Sequence, residues 1–398
     1  MKKQQIKRCL GVSLSVMMMA GLLSACGGNA AGGTQSESEG QSAGTAQSET
    51  EIQPEMETDP AGGDESKSIV LIAKAYQNPY YQVLFQGAED AGKEYGFTVS
   101  TNGPDAESNV PMQVDQVTAA VNQKPTAIGL AACDPAALQE ILTTAKDNGV
   151  SVIGFDSGVP DDASGAVVAT AATDNYNAGA VVAEKLFENE DFQDKLSTGT
   201  AENPVNVGIL AQDTTSGSIV IRVNGFVDKL TQLMETVDGF EDCVEVSGQT
   251  IWNQAAAQKP KAILSITVPP TTTQADIQTA ATSMLQTPNL IAAFPANLGT
   301  VDGFLSATSD GTDLDRETGK YKDLIVVGFD AGKGQKDAIA KGYFLGAGTQ
   351  DPYTMGYETV RLAAEIAEGK TPSDVDTGTV WYTSENMDDA GISELLYD

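Results

Sequence analysis

Residues 68–101 read SIVLIAKAYQNPYYQVLFQGAEDAGKEYGFTVST, and this stretch decides the fold. The apolar, β-branched run at 69–75 predicts a buried strand, and the longer amphipathic pattern at 79–95 predicts a helix that ends at Gly96. A second strand is predicted at 97–101. Strand, helix and strand in this order form the repeating unit of a parallel sheet flanked by helices.

The same alternation continues along the rest of the chain. Further helices are predicted at 110–122, after Asp134-Pro135 and at 177–187, and further strands at 126–131, 150–155, 167–170, 205–211, 262–268, 290–294 and 324–329. Near-continuous apolar strands imply sheets covered on both faces. One core rarely serves so long a chain, so we expect two α/β lobes. The segments 238–260 and 310–322 look like insertions.

The start of the chain has the pattern of an export signal. Basic residues precede an apolar run at 10–23, which is shorter than the about 20 residues that a membrane-spanning helix needs. Leu23-Ser24-Ala25-Cys26 resembles the bacterial lipobox, which implies cleavage before Cys26 and diacylation of its sulfur. We expect a signal peptide at 1–25 and a disordered tether at 26–67, because the tether has too few large apolar residues to pack.

Composition excludes several classes of function. The formal net charge is −32, which makes nucleic acid an implausible partner, and the absence of histidine removes the commonest general base and zinc ligand. No cofactor is expected, since no glycine-rich turn follows the first strand. No metal is expected either, because the aspartates near 310–315 miss the spacing of a calcium loop. We expect Cys133 and Cys243 to be free thiols.

Polar and aromatic residues stand directly after the predicted strands. Ligands of open α/β sheets bind outside the carboxyl ends of the strands, so binding residues should concentrate there. The candidates are Asn78, Tyr80, Tyr81, Asp156, Ser157, Asn297, Asp330 and Gln350, with Arg222 from a helix. Each also has a structural interpretation as a helix cap, a core ring, a turn residue or a surface ion pair.

With these residues the sequence resembles the type I periplasmic binding proteins, the group of ribose and galactose receptors, over essentially all of 68–398. The likeness rests on Asn78-Pro79-Tyr80-Tyr81, on Val327-Gly328-Phe329-Asp330 and on Gln350 before the last helix. It implies two Rossmann-like lobes, 68–173 with 351–378 and 174–350 with 379–398, which are joined by three crossovers and close by a hinge. It also places Asp156, Arg222 and Asn297 at sugar-contacting positions.

The resemblance implies the substrate-binding lipoprotein of an ABC importer, a monomer that captures a neutral aldose on the outer face of the cytoplasmic membrane. Its partners would be ABC permease subunits, and only the lipid on Cys26 would touch the membrane. The sugar stays open, because Ser157 replaces a common arginine and Pro269-Pro270 replaces a second-lobe aromatic. Trp252 is a candidate substitute for that aromatic.

Two other classes of function remain as alternatives. The chain could be a ligand-sensing module for a chemotaxis or two-component receptor, which needs the same cleft. It could also be an exported enzyme with Asp156 and Asp330 as acid and base. Against an enzyme, we expect Arg222 to lower the pKa of both carboxyl groups, which suits hydrogen bonding better than proton donation.

We predict that Cys26→Ser abolishes lipid attachment, because no other residue of the lipobox carries a sulfur. The variant should leave the membrane fraction or retain its signal peptide, as mass spectrometry of the cell fractions would show. Normal diacyl modification of the variant would contradict the lipobox assignment.

Overall fold

The computed structural model describes residues 67–397, so the predicted signal peptide and almost all of the predicted tether lie outside the described residues. The strands are β1 (Ser68–Ile72), β2 (Thr98–Asn102), β3 (Ala127–Leu130), β4 (Ser151–Phe155), β5 (Val167–Ala172), β6 (Val205–Leu210), β7 (Val244–Ser247), β8 (Ala262–Thr267), β9 (Leu290–Pro295), β10 (Ile325–Phe329), β11 (Gly346–Thr349), β12 (Val375–Asp376) and β13 (Val380–Tyr382).

Helices alternate with these strands. They are α1 (Pro79–Tyr95), α2 (Val110–Gln123), α3 (Gln139–Asp147), α4 (Asn175–Phe187), α5 (Glu190–Leu196), α6 (Gly217–Met234), α7 (Gln274–Met284), α8 (Leu298–Ala307), α9 (Lys333–Ala340) and α10 (Pro352–Ala367). Short 3-10 helices cover Ala136–Leu138, Thr312–Leu314 and Ser393–Leu395.

Local sequence explains why α1 has the predicted bounds. The side chain of Asn78 accepts a hydrogen bond from the backbone N–H of Tyr80 at 3.0 Å, and Pro79 occupies the first helical position. Gly96 ends the helix in the left-handed conformation, with φ of 73°. The helix therefore starts close to the end of β1 and presents its first turn beside it.

The strands form two sheets in the order β12-β5-β4-β3-β1-β2 and β13-β11-β10-β9-β6-β8-β7. All pairs are parallel except β11 with β13. The chain passes from the first sheet to the second after β5, returns after β11 and crosses again after β12. We call the parts around the two sheets the first and second lobes. The predicted architecture of two parallel-sheet lobes with three crossovers is confirmed.

Each lobe contains two helices that cross at glycine. A Cβ atom on Gly87 of α1 or on Gly356 of α10 would overlap the backbone of the facing helix in the first lobe. Gly179 of α4 and Gly225 of α6 stand in the same relation in the second lobe. Only a residue without Cβ permits such close approach. The crossings fix α1 and α6, two of the helices whose first turns reach the interlobe cleft.

Two expectations for residues 238–260 are wrong. The segment is not an insertion, because it supplies the edge strand β7, whose Val244 and Val246 bury one face against the sheet. Trp252 packs in the core of the second lobe and is 3% exposed, so it does not replace the missing cleft aromatic.

Cys133 and Cys243 are buried free thiols. Within residues 67–397, no helix combines the length and the apolar character that crossing a bilayer requires. In the same part of the chain, no group of side chains converges in a way that would hold a metal ion.

Candidate functional site

Polar side chains from both lobes meet at the carboxyl ends of the two sheets. Asp156 follows β4 in the first lobe, whereas Asn297, Asp330 and Gln350 follow β9, β10 and β11 in the second. The cavity between them, which we call the cleft, is lined by Lys74, Asn78, Tyr80, Tyr81, Glu107, Asp156, Ser218, Ile219, Arg222, Asn297, Leu298, Asp330 and Gln350. This is the edge at which open α/β sheets bind ligands.

The structure thus brings together all the sequence-predicted site residues except Ser157. The hydroxyl of Ser157 donates to the Asp156 carboxylate at 3.0 Å and lies 3.3 and 3.1 Å from the hydroxyls of Ser216 and Ser218. Because Ser216 and Ser218 belong to the second lobe, Ser157 connects the lobes and supports Asp156 from outside the cleft lining.

Asp156 and Asp330 occupy equivalent positions in the two lobes. Each follows a strand that ends in Gly-Phe, in the sequences Gly154-Phe155-Asp156 and Gly328-Phe329-Asp330. Both have left-handed backbone conformations, with φ of 55° and 74°. Such conformations cost a residue with a side chain about 1–3 kcal/mol and cluster at ligand sites. The repeated tripeptide is a sequence signal that identifies the two aspartates as a pair.

Asp156 is surrounded by donors from its own lobe. The hydroxyl of Tyr81 donates to Oδ2 at 2.9 Å, that of Tyr80 donates to Oδ1 at 3.3 Å, and Nζ of Lys74 lies 3.2 Å from Oδ2. Burial by itself would raise the pKa of Asp156, but Lys74, the Tyr81 hydroxyl and Arg222 outweigh burial and hold the pKa below its usual value. Asp156 is therefore a fixed, ionised acceptor.

Lys74 is a buried cation that the sequence patterns did not single out. From the end of β1 its ammonium crosses to the second lobe and donates to the hydroxyls of Ser216 and Ser218 at 3.0 and 3.2 Å. Burial would lower the pKa of Lys74, but Asp156 and Glu107, whose Oε2 lies 3.7 Å away, hold it above its usual value. A lysine that keeps its proton cannot activate either serine as a nucleophile.

Glu107 carries this network into the second lobe as well. Its Oε2 accepts a hydrogen bond from Nε2 of Gln212 at 2.6 Å. Burial raises the pKa of Glu107, and Lys74 offsets this only in part. Lys74, Glu107 and Ser218 are thus site residues that sequence reasoning missed.

Asp330 has a different environment in the second lobe. It accepts hydrogen bonds from the backbone N–H of Leu298 at 2.8 Å and from Nε2 of Gln350 at 2.7 Å. Burial raises the pKa of Asp330 more than Arg222 and Gln350 lower it. Arg222 thus lowers the pKa of both aspartates, as expected, but at Asp330 desolvation outweighs the cation and the net pKa is raised.

Arg222 is held rigidly above the ring of Phe329, with its guanidinium carbon 3.7 Å from the ring centre. Its Nη1 donates to the carbonyl oxygen of Ala296 at 2.9 Å, and its Nη2 donates to Oδ1 of Asn175 at 2.6 Å. Nε of Arg222 and Oε1 of Gln350 are buried and find no hydrogen-bond partner within residues 67–397. Buried polar atoms without partners are uncommon, and these two belong to residues that line the cleft.

The two asparagines of the cleft also cap helices. Asn78 caps α1, and Asn297 forms a capping box with Thr300 at the start of α8. In addition, Nδ2 of Asn297 donates to Oε1 of Gln212 at 2.8 Å. The structural interpretation of both asparagines is therefore correct, and it leaves their remaining polar atoms beside the cleft.

The cleft is nearly closed. Its volume is about 20 Å³, which leaves room for about one water molecule. A cavity of about 460 Å³ shares Asp156 and Ser218 with it and is lined by Ser157, Thr173 and Asn175 among others. A ligand larger than water therefore requires the lining side chains or the lobes to shift from their positions in this structure.

Comparison with known proteins places this geometry among binding proteins. A family model described as a periplasmic binding protein domain matches residues 69–371. No curated protein sequence matches the chain. A solved structure from Brachyspira murdochii, described as an ABC transporter, LacI family transcriptional regulator, is 32% identical, with a TM-score of 0.70 over 84% of this chain and 100% of that one.

Two further solved structures contain monosaccharides. An ABC transporter solute binding protein from Agrobacterium vitis with bound D-fucose is 25% identical, with a TM-score of 0.65 over 83% of this chain and 100% of that one. A carbohydrate transporter solute binding protein from Agrobacterium radiobacter in complex with D-arabinose is 26% identical, with a TM-score of 0.66 over 84% of this chain and 100% of that one.

We predict that Lys74→Met lowers the free energy of unfolding by about 3–5 kcal/mol, because it leaves Asp156 and Glu107 buried without their cation. Urea denaturation at pH 7 measures the loss. Lys93→Met is the matched control, since Lys93 pairs with Asp90 at 2.8 Å but its side chain is 73% exposed. Lys93→Met should leave the free energy of unfolding nearly unchanged, because solvent screens an exposed ion pair. Equal losses for the two variants would show that the buried ion pairs of Lys74 stabilise the protein no more than an exposed ion pair does.

Proposed function

Because the chain belongs to the periplasmic binding protein family, we propose that it is the substrate-binding component of an ABC importer and captures a neutral monosaccharide between its lobes. The observation that carries the proposal is the convergence of hydrogen-bonding side chains from both lobes on one cleft, with Asp156 and Asp330 at equivalent strand ends. A ligand that contacts both lobes favours their closed arrangement over the open one.

The cleft lining suits a molecule with many hydroxyl groups. Carboxylates accept hydroxyl protons and cationic side chains donate to hydroxyl oxygens, in charge-assisted hydrogen bonds that are stronger than neutral ones. The unpartnered Nε of Arg222 and Oε1 of Gln350 supply one further donor and one further acceptor. The rings of Tyr80 and Tyr81 offer apolar surface to the C–H face of a sugar.

The balance of charge favours a neutral sugar. Three carboxylates line the cleft, those of Glu107, Asp156 and Asp330, against two cations, Lys74 and Arg222. A phosphate or carboxylate group on the ligand would add like-charge repulsion to the cost of desolvation in a closed site. Sugar phosphates and sugar acids should therefore bind poorly.

The solved neighbours support the same ligand class. The Agrobacterium vitis protein holds D-fucose and the Agrobacterium radiobacter protein holds D-arabinose, both of which are neutral monosaccharides. We extend the proposal to location and partners: a monomer without a cofactor, anchored through lipid on Cys26 to the outer face of the cytoplasmic membrane, that delivers its sugar to membrane permease subunits. The lipobox-like sequence before Cys26 supports the anchor.

One observation favours a sugar-acting enzyme instead. The pKa of Asp156 lies below its usual value and that of Asp330 lies above it, which is the division expected of a catalytic base and acid. Both carboxylates are nevertheless already engaged by fixed protein donors, as in a binding site that orients hydroxyls. A ligand-sensing protein would use the same cleft, and it would differ only in docking on a receptor at the membrane instead of on permease subunits.

We predict that a thermal-shift screen of neutral aldoses, polyols, sugar phosphates, sugar acids and amino acids gives its hit among the neutral aldoses. Asp330→Ala should then weaken binding of that aldose by about 30- to 1,000-fold, or about 2–4 kcal/mol, because ligand hydroxyls lose their acceptor inside a closed site. Isothermal titration calorimetry measures the change.

Asp337→Ala is the matched control, since this carboxylate lies on α9 of the same lobe and its side chain is 55% exposed. Its affinity should equal that of the parent protein. Hits confined to amino acids or sugar phosphates, or normal binding by Asp330→Ala, would overturn the proposal. Hydrolysis of nitrophenyl glycosides by the parent protein but not by Asp330→Ala would establish the enzyme.

A further inference from the structure

The segment after β13 runs back to the cleft. We call residues 383–397 the tail. It starts from β13, which pairs with β11 in the second lobe, and it then passes over α9, where Met387, Ser393 and Leu396 border a cavity of about 310 Å³. At the end of the described tail, Tyr397 is 8% exposed. The tail is therefore fastened to the second lobe and ends in a buried aromatic ring.

Tyr397 contacts both lobes next to the paired aspartates. Its ring meets that of Tyr80 edge to face, with ring centres 6.0 Å apart and planes at 70°. Its hydroxyl oxygen accepts the backbone N–H of Ala331, the residue after Asp330, at 3.4 Å. Tyr80 in turn donates to Asp156. Tyr397 thus contacts Tyr80, which donates a hydrogen bond to Asp156 of the first lobe, and also the backbone next to Asp330 of the second lobe.

We propose that Tyr397 is a positioning residue of the cleft and that the tail is a strap that favours the closed arrangement of the lobes. The proposal concerns the same cleft as the proposed function, and it gives that function a means of retaining its ligand. Because the tail moves with the second lobe, opening must separate the ring of Tyr397 from that of Tyr80. An edge-to-face aromatic pair corresponds to about a 2- to 10-fold shift in such an equilibrium.

The two lobes provide a direct readout of closure at another point of contact. The backbone N–H of Ser108 in the first lobe donates to Oγ1 of Thr272 in the second at 3.1 Å, at an exposed position. Cysteines placed at both positions should form a disulfide only while the lobes are closed, since the bond requires Cα atoms within about 7 Å. Cys133 and Cys243 are buried and would not compete.

The experiment uses the full chain with Ser108→Cys and Thr272→Cys, and with Cys9→Ser and Cys26→Ser to remove the remaining two cysteines of the sequence. The rate of disulfide formation is measured under a mild oxidant and without sugar. Because the rate follows the fraction of closed protein, Tyr397→Ala should slow it by up to about 10-fold. Tyr397→Phe retains the ring and should restore the parent rate. Tyr353→Ala is the control, because Tyr353 is an exposed tyrosine on α10 that bonds Asp90.

Tyr397→Leu provides a second test, since it keeps an apolar side chain and removes the ring. If circular dichroism shows that Tyr397→Ala is unfolded, the Leu variant decides, and we expect it to slow cross-linking as well. Parent rates in every folded variant that lacks the ring would overturn the proposal. If Tyr397→Phe slows cross-linking as much as the variants without the ring do, the effect does not come from the ring, and that part of the proposal would be overturned. Because the cross-linking experiment contains no sugar, a negative result in it would leave the proposed sugar binding intact. A negative sugar screen would likewise leave the proposal for Tyr397 intact.

Discussion

A charge can be buried between two lobes only if it is paired there, and Lys74 shows how this protein meets that constraint. The ammonium lies 3.2 Å from Asp156 in its own lobe and donates to Ser216 and Ser218 of the other lobe. Closure therefore exchanges water for partners from the opposite lobe, and opening returns the ammonium to water. Polar contacts of this kind favour a cleft that can close around a ligand and open again.

Much of the fold and of the site followed from the sequence. The strands are short apolar runs and α1 carries its own cap and stop, so local pattern alone defines these elements. The rule that ligands bind beyond the carboxyl ends of parallel strands then located Asn78, Asp156, Asp330 and Gln350. None of these inferences required knowing which residues meet across the two lobes.

The missed residues depend on contacts between distant parts of the chain. Lys74 falls within the predicted strand 69–75, and only the facing serines and carboxylates show why a buried lysine follows β1. Glu107 lies in a loop, and Tyr397 belongs to a segment without a strong periodic pattern. The pKa of Asp330 was misjudged for a related reason, since the extent of burial is a property of the closed cleft.

The central claim is that two lobes close around a neutral sugar, and solution scattering tests it most directly. Small-angle X-ray scattering should give a smaller radius of gyration for the protein at a saturating concentration of its sugar than without it, because hinge closure brings the lobes together. An identical radius of gyration in the two conditions, with calorimetry confirming that the sugar is bound, would contradict the account.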